Sequence, residues 1–205
     1  MDGKWSPAHQ ALLEQEACDL WLLTEVHVDA RISDMGGHHT ASLMGSKKTW
    51  AAIFSAAQAT PFPDPHPASA MAEVEGIRFI SSVLPWRGCG TPWEAGTHAD
   101  RLGATLESLR PHVGRSSIWG GDWNQALEGP EYAGSLEGRE HILSTMRDLR
   151  LAVPTRSLPS ASAGHSSIDH IAVSVDVDGA EAYRIEAGHK GRRLSDHDAY
   201  VMTIV

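Results

Sequence analysis

The feature that most constrains this chain is a set of carboxylates, each at the mouth of an apolar, strand-like run. Gly120-Gly121-Asp122-Trp123-Asn124 closes one such run, Ile168-Asp169-His170-Ile171 opens another, and Ser195-Asp196-His197 precedes a third. Leu20-Trp21-Leu22-Leu23 leads into Glu25. Side chains alternate along a strand, so Asp122 and Asn124, two residues apart, are expected on one face. Four acids, one amide and one imidazole thus stand where core strands give way to loops. That pattern suits the holding of a hard cation against a phosphate.

Composition narrows the partners. The 205 residues suffice for a single domain, 1–205, with a substantial core. Lys and Arg number 17 against 26 Asp and Glu, a net charge of −9. The basic field of a nonspecific nucleic-acid binder is therefore missing. A phosphate would be met by local Arg, Lys or His, or by a metal that offsets the acids. No run of 18 apolar residues and no basic-then-apolar leader occurs, so neither a membrane span nor a secretory signal is expected. Cys18 and Cys89 lack metal-binding spacing and are expected as free thiols of a cytoplasmic protein.

Strand-like and helix-like segments alternate along the chain. Ser6-Pro7 reads as a helix start, with an apolar stripe of Ala8, Ala11, Leu12 and Ala17. Strands are expected at 20–23 and 50–54, and a hairpin at 72–75 and 77–86 around Glu75-Gly76. Thr97 and Asp100 have capping-box spacing ahead of Ala99, Leu102, Leu106, Leu109 and Val113, with Gly114 as the stop. A strand at 116–121, a helix near 138–150, an extended piece from Val153 and strands at 168–175 and 199–205 complete the reading. The segment Thr60–Pro67 reads as a stiff surface loop because four of its residues are proline. The order of elements predicts an α/β layered domain.

Each acid has two readings. Glu25 is a solvated strand end or a metal ligand. Asp122 can orient or deprotonate water and Asn124 can donate to a phosphate oxygen, or the pair forms an Asx turn at the strand end. Asp169 can fix the tautomer of His197, and Asp196 can bind metal or orient water. His170 points to the opposite strand face and reads as structural. Twelve histidines show no zinc-binding spacing. Trp21 and Trp119 read as core. Trp86 and Trp93 flank a loop and either pack it or stack on a base.

In this order, Leu22-Leu23-Thr24-Glu25-Val26, Gly121-Asp122-Trp123-Asn124, Ser167-Ile168-Asp169-His170-Ile171 and Ser195-Asp196-His197 resemble the endonuclease/exonuclease/phosphatase superfamily of DNase I-like fold. The resemblance spans nearly the whole chain. It implies a four-layer β-sandwich flanked by helices, with Mg²⁺ or Mn²⁺ held by Glu25 and Asp196. It also implies that Asp122 handles the attacking water, that Asn124 holds the phosphate, and that Asp169 pairs with His197, which stabilises charge developing on phosphorus. His98 and Trp86 are the candidate substrate contacts. Members of the superfamily usually open with a strand ending in an Asn, whereas Met1-Asp2-Gly3-Lys4-Trp5-Ser6-Pro7 leads straight into a helix. That first strand is therefore expected to be lacking. Thr24 also stands where the family usually has Gln.

The activity implied is divalent-metal-dependent phosphoester hydrolysis, most simply by a phosphodiesterase or nuclease. A phosphomonoesterase or a lipid- or nucleotide-directed enzyme of the same fold is the alternative, and a catalytically impaired scaffold is the third.

Overall fold

The structure, a computed structural model, describes residues 5–93 and 96–204. Its elements in chain order are α1 (Pro7–Gln15), β1 (Leu20–His27), β2 (Gly36–His39), β3 (Leu43–Gly45), β4 (Lys48–Ser55), β5 (Ala59–His66), β6 (Ser69–Val74) and β7 (Ile77–Val83). There follow α2 (His98–Leu109), β8 (Ser117–Asp122), α3 (Leu136–Leu149), β9 (Leu151–Ala152), β10 (Asp169–Ser174), β11 (Glu181–Ile185), β12 (Gly188–His189), β13 (Arg192–Arg193) and β14 (Ala199–Thr203). The expected absence of a strand ahead of α1 falls on residues 1–4, outside the described residues.

Local chemistry accounts for the element ends. Thr97 and Asp100 form the full capping box, each side chain bonded to the other's backbone N–H. Ser135 caps α3 by accepting from the Gly138 N–H at 3.0 Å. Glu75 and Gly76 both take positive φ, as a tight hairpin between β6 and β7 requires.

Two sheets stack face to face. The first has the order β1-β4-β2, with β3 also on β4, and the second β5-β6-β7-β8-β10-β9. Small side chains let them approach, Ala51 and Ile53 of β4 meeting Ala70 and Ala72 of β6. On the outer face of the first sheet, Leu13 of α1 and Val201 of β14 pack with Trp21, Leu23 and Phe54. On the outer face of the second, Leu102, Leu106 and Leu109 of α2 and Ile142 and Met146 of α3 close over Ile80, Trp119 and Trp123. The layers run helix, sheet, sheet, helix, as the family resemblance implies.

The proline-rich segment is a correction. Thr60–Pro67 is largely strand, since β5 pairs antiparallel with β6 from Ala59↔Val74 to His66↔Ser69. Pro61 stands in the regular part of the ladder, whereas Pro63 and Pro65 fall where the register shifts between Phe62 and His66 and no pairs form. β5 is also the outer strand of its sheet, and edge strands and bulges are where a strand tolerates proline.

Gly120 and Gly121 fix how closely the layers meet beneath the site. A Cβ on Gly120 would lie 2.9 Å from the His170 carbonyl oxygen and 3.0 Å from Leu22 Cδ1. One on Gly121, where φ is +130°, would lie 2.2 Å from the Ser82 carbonyl oxygen of the parallel neighbour β7. The His170 and Ser82 contacts are with backbone that cannot step aside. Gly121→Ala should therefore lose more than about 3 kcal/mol of stability in urea unfolding. Gly114→Ala, where a Cβ meets nothing within 4 Å, should stay within about 0.5 kcal/mol. Equal losses would refute the packing argument.

Candidate active site

Asp122 is the last residue of β8 and Asp169 the first of β10, and the two are direct partners across the antiparallel ladder. Like charges so placed repel. His197, on the loop before β14, resolves the conflict. Its Nδ1 lies 2.8 and 3.0 Å from the two Asp169 carboxylate oxygens, and its Nε2 lies 3.9 Å from Asp122 Oδ2. One ring thus bridges both acids. The negative charge of Asp169 raises the His197 pKa to about 10, burial partly opposing it and Asp122 adding to it. Burial raises the Asp122 carboxyl well above the carboxylate range, with His197 opposing that shift and Asp169 and Glu25 reinforcing it.

Of the two readings of Asp122 and Asn124, the structure shows the Asx turn. The strand stops at Asp122, and the Asn124 N–H donates to Asp122 Oδ1 at 2.9 Å in an Asx turn. Asn124 has φ of 50°, and its Nδ2 donates to the Leu84 carbonyl at 3.0 Å. Asp122 and Asn124 therefore do not share a strand face. Local hydrogen bonding to Asp122 outcompetes the ladder, as short polar side chains at strand ends readily do.

Glu25 sits within β1 with φ of 54°, a conformation costing on the order of 1–3 kcal/mol for such a residue. Lys48 of β4 reaches its Oε2 at 2.8 Å. Asp196 is exposed beside His197 and also raises the imidazole pKa. Asp122, Asp169 and His197 offer ligand atoms all within 4.8 Å of one another. Glu25 and Asp196 stand outside that trio, close enough for their charges to be felt by Asp122 and His197 respectively.

His98 and Trp86 are not brought to this cluster. His98 is buried at the start of α2, with Nδ1 2.8 Å from Ser135 Oγ and Nε2 3.0 Å from the Pro85 carbonyl oxygen. Both nitrogens are spent bracing α2 against the loop before α3. Trp86 meets Trp93 edge to face at 5.4 Å, and Trp93 meets Trp50 likewise at 5.1 Å. That is a packed loop. His170 is buried with Nε2 3.0 Å from the Gln125 carbonyl, the structural role its strand face suggests.

The residues that aim His197 have no motif of their own. The Asp198 side chain is wholly buried, lies 3.3 Å from Arg184 Nε and 2.5 Å from Arg193 Nη1, and accepts from the Ala187 N–H at 2.9 Å. Arg193 also donates to the carbonyls of Ser195 at 3.0 Å and His197 at 3.3 Å. It thereby clamps the backbone on both sides of Asp196. An acid and two arginines within short strands hint at such a network, but nothing in their spacing says which loop they hold. Ser167 fixes the opposite partner, its Oγ donating to the Asp169 carbonyl at 2.7 Å and accepting the Asp169 N–H at 2.9 Å.

No protein-family model matches this chain, and no curated protein matches it. Solved structures do. The 3'-5' exonuclease from Neisseria meningitidis superposes with a TM-score of 0.70 at 18% identity, over 97% of this chain and 93% of that one. An AP endonuclease from Archaeoglobus fulgidus gives 0.69 at 15% identity, over 95% and 92%. An endonuclease/exonuclease/phosphatase family protein from Leptotrichia buccalis gives 0.67 at 14%, over 97% and 92%. The chain has the DNase I-like fold of those proteins.

The bridged imidazole makes stability depend on pH. His197 binds its proton more tightly in the folded chain, so its contribution is complete below its unfolded pKa of about 6.5 and is lost as pH rises through about 10. Asp122 has the same sign, because its carboxyl is also raised and ionising it in the folded chain costs stability. In EDTA, the melting temperature should fall between pH 6.5 and 10, and fall less steeply for His197→Gln. A rise across that window, or equal slopes, would contradict the bridge.

Proposed function

We propose that this chain is a divalent-metal-dependent phosphoester hydrolase, most simply a phosphodiesterase acting on nucleic acid by in-line attack of water on phosphorus. The observation that carries the reading is the His197 ring held between Asp169 and Asp122. The neighbours in fold, an exonuclease and an AP endonuclease, support the same class of substrate.

The donor set suits a hard cation. Glu25 and Asp196 would hold Mg²⁺ or Mn²⁺, ions that take carboxylate oxygen, water and substrate phosphate together. The buried Asp122, pushed up in part by Asp169 and Glu25, belongs to a cluster whose excess negative charge a cation relieves. Such an ion, when bound, neutralises phosphate charge and stabilises the leaving oxygen.

The chain's own groups do the rest. Asp122 has a heightened proton affinity, which makes it a better base toward the attacking water than an ordinary carboxylate. The Asx turn holds its Oδ1, leaving Oδ2 on the His197 side. His197 keeps a proton at Nε2 because Asp169 stabilises the imidazolium, and donates it in a hydrogen bond to a non-bridging phosphoryl oxygen as charge builds there. Asn124 would face the same oxygens through its amide once Leu84 releases it. The acidic surface, net −9, also favours a second reading, a small phosphomonoester or nucleotide substrate that needs no extended basic track.

Hydrolysis of supercoiled plasmid, bis-nitrophenyl phosphate and nucleotide monophosphates, with Mg²⁺, Mn²⁺ or EDTA, tests this. Metal-dependent turnover is expected, reduced about 10²–10⁴-fold in Asp122→Ala and His197→Ala. Activity on monophosphates alone would select the second reading. Full activity of Asp122→Ala would eliminate both.

A further inference from the structure

The ion pair between Lys48 and Glu25 sets a cation of the chain on an acid that the proposed reaction gives to a metal. Lys48 opens β4 and is the ladder partner of His27. Glu25 stands two residues before His27, one diagonal step from Lys48, a span that a long side chain covers. The Lys48 Nζ donates to Glu25 Oε2 at 2.8 Å. The two side chains are 21% and 24% exposed, so water reaches both partners. Glu25 also holds a φ of 54° within β1, a conformation that persists only where its surroundings enforce it. The ammonium is one of those surroundings, and it fixes the carboxylate at the mouth of the strand.

Lysine suits an exchange better than arginine does. Its ammonium is a compact charge with three rotatable donors on a flexible four-carbon stem, whereas a guanidinium grips a carboxylate through a rigid fork. A pair joined by one contact within reach of water is a weak tie. Mg²⁺ and Mn²⁺ take carboxylate oxygen and substrate phosphate together. Phosphate oxygens drawn to a cation on Glu25 therefore arrive beside the ammonium that shares that carboxylate. Lysine binds phosphate readily, as a point charge. Arg184 and Arg193, by contrast, close on the buried Asp198, and the His197 ring lies between Asp169 and Asp122.

We propose that Lys48 is a substrate-binding residue, whose ammonium passes from Glu25 to a non-bridging oxygen of the substrate phosphate when a divalent cation takes the carboxylate. The proposal rests on the metal-assisted reading above and adds to it a residue that no motif marks. Two effects of opposite sign follow. Lys48 competes with the cation for Glu25, and so weakens the binding of metal alone. Once the cation is in place, the same ammonium strengthens the binding of phosphate. The site is thereby biased toward taking cation and phosphate together.

Two calorimetric titrations test this on wild type, Lys48→Met and Lys48→Arg: Mn²⁺ into the protein, and inorganic phosphate into the Mg²⁺-saturated protein. Lys48→Met keeps an apolar stem and should bind Mn²⁺ about two- to fivefold tighter, the range set by losing a partly exposed ion pair. It should bind inorganic phosphate about tenfold or more weakly, as expected for a lost hydrogen bond to a charged group. Lys48→Arg, which retains the charge, should recover most of the phosphate affinity. A purely structural role would move both affinities the same way or neither, and the far-ultraviolet dichroism of both variants should match wild type. Weaker or unchanged Mn²⁺ binding in Lys48→Met would overturn the proposal and leave the hydrolase reading standing. So would unchanged phosphate binding in that variant, or none in Mg²⁺-saturated wild type. Wild type that binds no Mn²⁺ up to about 1 mM would remove the metal-assisted reading, and this proposal with it.

Discussion

Two carboxylates facing each other across a hydrogen-bonded strand pair are a costly arrangement, and the imidazole between them makes it tenable. Asp122 and Asp169 are ladder partners, close enough that their repulsion at the effective dielectric of a partly buried site is worth several kcal/mol. A protonated His197 converts that repulsion into two attractions. The same event raises the proton affinity of the ring and sets the direction in which its second N–H points. Stability and chemistry at this site are one electrostatic problem with one solution.

The solution depends on backbone placed to within fractions of an ångström. Gly120 and Gly121 let β8 lie close to β7, β10 and Leu22 of the facing sheet, and Asp122 follows at once. On the other side, Arg193 ties the carbonyls of Ser195 and His197 while its own charge is answered by the buried Asp198. Removing a partner from a buried ion network leaves a charge uncompensated. His197 joins that network through its carbonyl, so its imidazole inherits the network's rigidity.

Much of this was legible in the sequence wherever a single residue type has few physical options. The capping box at Thr97 and Asp100, the turn at Glu75-Gly76 and the pairing of Asp169 with His197 all follow from local chemistry or motif order. What escaped depended on context. The prolines of β5 look like a loop until the strand is known to be an edge. Asp122 and Asn124 fit either a continuing strand or an Asx turn, and only the structure selects the turn, in which the side chain of one captures the backbone of the other. His98 and Trp86 carry suitable chemistry, and only three-dimensional packing reveals that their polar atoms or ring faces are already engaged. Arg193 holds Ser195, His197 and Asp198, all close to it in sequence, and Arg184 reaches Asp198 from another strand, yet nothing in an arginine's sequence context says which of many nearby acceptors it takes.

The charge balance of the site bears on what it can accept. Glu25, Asp122, Asp169 and Asp196 bring four formal negative charges. Lys48, on Glu25, and His197, between the two aspartates, answer two of them, while Arg184 and Arg193 are committed to Asp198. Two negative charges remain, gathered at one end of the sandwich. A phosphate arriving alone would meet repulsion there, and a molecule with net charge −9 offers no distant positive field to draw it in. On the proposed reading, attraction would come from a cation held locally, and a divalent one would cancel the remaining charge. The acidity that argues against tight nonspecific binding of nucleic acid is thus the same acidity that the proposed metal-assisted hydrolysis would use.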